Sequence, residues 1–153
     1  MQHEEFPHEL IADDTQAGAP EEIAQSLYGR ILAMSVPEKI KLAMIGNREA
    51  RALLIRDANR VVAEAVLTSP RLTLDEVASY AANRNLASDI IRAIAERKEF
   101  LKHYPIRLAL VHNPKTPVPQ ALQLLETLRE HDIKAVAKNR NIPSAVSQAA
   151  ARA

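Results

Sequence analysis

HNPKTPVP, residues 112–119, sets three prolines in eight positions between two stretches of helix formers, IRLALV (106–111) and QALQLLETL (120–128). Proline cannot continue a helix, because it lacks the N–H and its ring collides with the preceding turn. It does fit a first helical turn, where that N–H has no partner anyway. Pro114 is therefore expected to end a helix that begins near Pro105, and another starts at once. Thr116 is the expected N-cap of the new helix, Pro117 its first residue, and Pro119 lies in the same first turn. A chain that stops and restarts helices this tightly is building short helices that pack side by side.

Most other boundaries carry the same chemistry. Pro20 suits the first turn of a helix to about residue 33. Ser35 and Pro37 open a helix that Gly46 closes. Asn47 and Asn59 start the next two, and Thr73 with Glu76 has the spacing of a capping box. Further helices are predicted over about 87–102, 105–112, 117–129, 132–138 and 143–152. The sum is roughly ten short helices and no strand, since the apolar runs are rich in Ala and Leu rather than β-branched. With no Trp, two Phe and three Tyr, the core must be aliphatic. Three glycines argue against Gly-turned β structure and against a phosphate-cradling loop.

The boundaries repeat. Asn-Arg occurs at 47–48, 59–60, 83–84 and 139–140, and NRNLASDI (83–90) matches NRNIPSAV (139–146). EAVLTSPRLT (64–73) lines up with LALVHNPKTP (108–117), each with a basic residue after proline. The distance from the proline to the next aligned Asn grows from 13 residues (Pro70 to Asn83) to 25 (Pro114 to Asn139), an insertion of about one helix. The physical reading is a helical solenoid, in which each short helix is stable only against its neighbours.

The stretch LALVHNPKTPVPQALQLL resembles a unit of the leucine-rich repeat variant family, whose repeats carry an Asn-Pro-x-Thr-Pro turn between short helices and are similar in build to HEAT and armadillo repeats. The likeness is good over 108–125, fair over 64–80 and loose over 38–60 and 132–152, so it spans roughly residues 36–152. It implies alternating α- and 3₁₀-helices in a right-handed superhelix, and a binding surface rather than an activity. A relative in that family carries a cysteine-bound iron–sulfur cluster, which does not transfer to a chain without cysteine.

The expected organisation is an acidic, flexible arm over residues 1–18 and a helical-repeat domain over 19–153, an all-α solenoid. Charge is divided along the chain. The first 29 residues hold seven acids and neither Lys nor Arg, so the rest hold all 20 bases against 12 acids, a net of +8. Such segregation bears on partners rather than fold. The candidate basic face comprises Arg48, Arg60, Arg71, Arg84, Lys115 and Arg140. An Arg following an Asn cap would sit in a first helical turn, where the dipole disfavours a cation. The competing reading has each arginine packing its stem on the preceding turn or pairing with a nearby Glu or Asp.

No catalytic constellation stands out. Asp75 and Glu76 diverge on a helix, and no nucleophile sits beside a base. His3, His8, His103, His112 and His131 lack the spacing of a zinc site, and neither a metal nor a cofactor is expected. ERKEFLKHYP (96–105) interrupts the rhythm, with Phe100 and Tyr104 expected in the core. No apolar run reaches the ~18 residues of a membrane span, and the N-terminus lacks a signal-peptide core, so a cytoplasmic protein is expected. The first functional reading is a non-catalytic scaffold for a protein partner. The second is a nucleic-acid-binding module using the basic residues, with the acidic arm competing for that face.

Overall fold

The computed structural model describes residues 6–12 and 21–153, with side chains of the second segment described from residue 26. Among the described residues there are twelve helices and no strand, so the chain is all-α. Contacts divide it into two units, Met1–Leu72 and Thr73–Ala153, each with its own aliphatic core. That boundary falls inside the stretch expected to be one domain.

The first unit contains α1 (His8–Ile11), α2 (Glu21–Leu32), α3 (Val36–Ile45), α4 (Arg48–Leu54) and α5 (Arg60–Val66). Part of the expected arm is packed. Phe6 and Leu10 are buried, α1 lies against α4, and Asn47 donates from its N–H to the Leu10 carbonyl and from Nδ2 to the Glu9 carbonyl. The rest of that arm, residues 1–5 and 13–18, lies outside the described residues. The expected caps form as the sequence chemistry requires. Ser35 and Glu38 make a full capping box, whose hydrogen bonds hold the Glu38 carboxyl below its usual 4.5. Asn47 and Asn59 accept from the N–H groups of Ala50 and Val61.

Gly46 ends α3 without entering left-handed space, at φ −69°. Its need is room: a Cβ there would lie 2.6 Å from both the Ala50 Cβ and the Leu42 oxygen. Beside it, Arg51 is fully buried and donates from Nη1 to the Gly46 carbonyl at 2.8 Å. Its helix neighbours Ala50 and Leu54 are buried too, and nothing in their sequence pattern signals a guanidinium among them.

The second unit contains α6 (Leu74–Ala82), α7 (Ser88–Ala95), α8 (Lys98–Leu101), α9 (Tyr104–Val111), α10 (Val118–Leu125), α11 (Glu130–Ala137) and α12 (Ser144–Arg152). α9 packs on α6 and α10, and α12 packs on α10 and α11. The helix predicted over 87–102 is two helices, α7 and α8, broken at Arg97 in extended backbone. No proline or glycine causes the break. In one straight helix, Phe100 would point about 240° around the axis from Ile94. Both are buried, so the chain turns to bring Phe100 inward, with the Arg97 guanidinium 5.7 Å from its ring centre. Burial overrides local helix preference here.

Four connections share one construction. In each, a side chain accepts the N–H two residues on: Ser69 from Arg71 (3.3 Å), Asn83 from Asn85 (2.9 Å), Asn113 from Lys115 (2.9 Å) and Asn139 from Asn141 (2.8 Å). Four residues after the acceptor comes the N-cap of the next helix, respectively Thr73, Ala87, Pro117 and Pro143. In the second unit the residue before the cap is buried, as Leu86, Thr116 and Ile142. The last three caps use polyproline-like backbone, φ −55° to −60°, and no side chain. Thr116 is therefore not the cap of α10. It is 3% exposed and donates its hydroxyl back to the Leu110 carbonyl at 2.6 Å, leaving Pro117 as the cap. Asn83 and Asn139 likewise do not N-cap helices: Asn83 is the C-cap of α6, and Arg84 and Arg140 lie in turns where the other two joints carry proline.

Candidate functional site

The six basic residues divide between the units. In the first, Arg48 and Arg60 follow true Asn caps and are exposed, and Arg60 pairs with Glu64 at 2.9 Å one turn on. Arg71 is half-buried and donates from Nη1 to the carbonyl of Ile45, the last residue of α3, at 2.7 Å. A cation at a helix C-terminus is favoured by the exposed carbonyls and the dipole.

In the second unit, hydrogen bonds bring three joints side by side. Asn113 donates from Nδ2 to the carbonyls of Ala81 (2.7 Å) and Asn83 (3.2 Å), and Lys115 donates from Nζ to the Leu86 carbonyl at 2.5 Å. Asn139 reaches the joint before it through His112, with Nδ2 2.9 Å from Nδ1. Its Oδ1 already accepts from Asn141, so the amide cannot turn over. His112 Nδ1 must accept, and the ring proton sits on Nε2. Arg84, Lys115 and Arg140 each lie in one of these three neighbouring joints. Arg84 and Arg140 are exposed, whereas the ammonium of Lys115 is committed to Leu86.

The same use of cations recurs at Arg107, which donates from Nη1 to the Leu101 carbonyl at the end of α8 and from Nε to the Thr127 hydroxyl. Together with Arg51, Arg71 and Lys115, it binds backbone carbonyls inside its own unit. Lys39 meets Asp57 at 2.8 Å, with both side chains nearly buried.

Two features were not legible beforehand. One is a clamp on α11. The Tyr104 hydroxyl donates to Asp132 at 2.5 Å and accepts from the Arg129 N–H at 2.9 Å. The guanidinium carbons of Arg129 and Arg107 lie 4.4 and 5.2 Å from its ring centre. Tyr104, expected to fill the core, is half-buried and works through its polar tip. The other is an open groove of ≈ 650 Å³ between α11 and α12. Leu128, Ile133, Ala137, Ala150 and Ala151 form its apolar surface, and Lys134 and Lys138 stand at its edge. Sequence pairs adjacent helices easily, but it does not show which helices leave a gap.

Among the described residues no cluster of three His, Asp or Glu could hold a metal, and no helix is long and apolar enough to cross a membrane. Comparison with protein-family models, with curated proteins and with solved structures returns no match.

Proposed function

We propose that the chain is a non-catalytic α-solenoid scaffold, of the HEAT-like or leucine-rich repeat variant type, that presents a groove to a protein partner. The observation that carries this reading is the groove beside α11. α11 occupies the extra length between Pro114 and Asn139, and insertions in repeat arrays tend to lie on one face, often the binding face. Val136 is its one buried residue; α11 packs against α12, and the Tyr104 clamp fixes its first turn. The shared construction of the four joints supports a repeat origin. The reading assumes a cytoplasmic setting, without cofactor or metal.

A second reading, nucleic-acid binding, draws support from Arg84 and Arg140, exposed in two of the three neighbouring joints. It is the weaker one, because the cations of Arg71 and Lys115 are already engaged with backbone carbonyls and Arg60 with Glu64. Panning a random peptide library against the protein tests the choice. The scaffold reading expects enriched peptides that shift amide resonances of α11 and α12. No enrichment, together with salt-steep binding of duplex DNA at Arg84 and Arg140, would replace it with the second.

A further inference from the structure

The two walls of the α11–α12 groove differ in chemistry. On the α12 side, Ala151 is small and exposed, with Ala150 buried behind it, so another backbone can approach closely. On the α11 side, Glu130, Lys134 and Lys138 follow at four-residue steps along one edge, above Ile133 and Ala137. Lys134 lies 3.8 Å from Glu130 with both side chains largely exposed, and Lys138 makes no ion pair among the described residues.

We infer that this groove receives an amphipathic helix of a partner protein whose flank is acidic. The inference deepens the scaffold reading and rests on it. A helix satisfies its own backbone hydrogen bonds, which matters because the described residues offer no strand edge to pair with an extended peptide. Its apolar side chains fill the floor of Leu128, Ile133 and Ala137. Carboxylates one turn apart meet Lys134 and Lys138, which stand one turn apart themselves. Nucleic acid is a poor occupant, since no aromatic side chain lines the groove for a base to stack on.

The test uses the full chain and two labelled synthetic helices, one with Leu at i, i+3, i+4 and i+7 flanked by Glu, the other with Lys replacing every Glu. Fluorescence anisotropy should show the Glu peptide binding more tightly, with a preference that shrinks as salt rises. Lys134→Glu with Lys138→Glu should weaken the Glu peptide roughly 5- to 10-fold and favour the Lys peptide. Ala151→Gln, at an exposed position, should weaken both peptides by narrowing the groove, while circular dichroism shows an unchanged fold. Equal binding of the two peptides, no binding of either, or an order unmoved by charge reversal overturns the inference. The scaffold reading survives those results if library-selected peptides still shift α11 and α12. Concentration-dependent self-association abolished by Ala151→Gln would make a second copy the occupant, and would also overturn the inference.

Discussion

A methyl group added at Gly46 must displace either the Ala50 Cβ or the Leu42 carbonyl, and backbone does not move cheaply. Gly46→Ala should cost about 1–3 kcal/mol in urea unfolding. Gly29, in α2, has nothing within 4 Å of the same added atom. Gly29→Ala should be neutral or stabilise by up to ~1 kcal/mol, through helix propensity alone. The sequence distinguishes neither case, because close approach is a property of two elements. Arg51 was illegible for the same reason: its neighbours in the helix are apolar, but only the packed structure supplies the Gly46 carbonyl. Truncating it to alanine leaves a cavity and an unbonded buried carbonyl, a loss of about 3 kcal/mol. Glu38, unlike Glu76, was not anticipated as a capping-box partner, although its spacing from the cap residue is the same. Its carboxyl is held low chiefly by the Ser35 N–H, then by the Ser35 hydroxyl. The ionised form therefore contributes stability above 4.5, the unfolded value, and that contribution is lost as pH falls through the lower folded value. An NMR titration should find the Glu38 midpoint below 4.5, and Ser35→Ala should raise it partway.

At the scale of elements, helix existence was legible wherever a cap or a proline marked it. Breaks set by burial, such as the one before α8, were not. Joints were half legible. Their Asn and Pro residues stood out as recurring boundaries; that the Asn of both NRN and NPK stands four residues before the next N-cap did not. Asn113 bonds three backbone groups, at Ala81, Asn83 and Lys115. Asn113→Ala should destabilise the protein by about 2–3 kcal/mol, while exposed Asn85→Ala should stay within about 0.5 kcal/mol. At His112, nitrogen-correlated NMR at neutral pH should find the Nε2–H tautomer, with Asn139→Ala releasing that preference.

For the whole molecule, the +8 imbalance beyond residue 29 suggested an electrostatic surface. Four of those 20 bases, Arg51, Arg71, Arg107 and Lys115, face backbone carbonyls instead, which no count of Lys and Arg can reveal. The consequence is measurable. Six phosphate-binding cations would give a slope of about −5 in log affinity against log salt for duplex DNA. With Arg71 and Lys115 engaged internally and Arg60 paired, a slope no steeper than about −3 is expected. The joints carry one more consequence, for engineering. Since the turn needs an acceptor, a buried third residue after it and an extended cap, its parts are interchangeable. Replacing residues 139–143 (NRNIP) with NPKTP should preserve the connection while altering its charge. Segments between joints could then be exchanged as modules, with the joint as the common fitting.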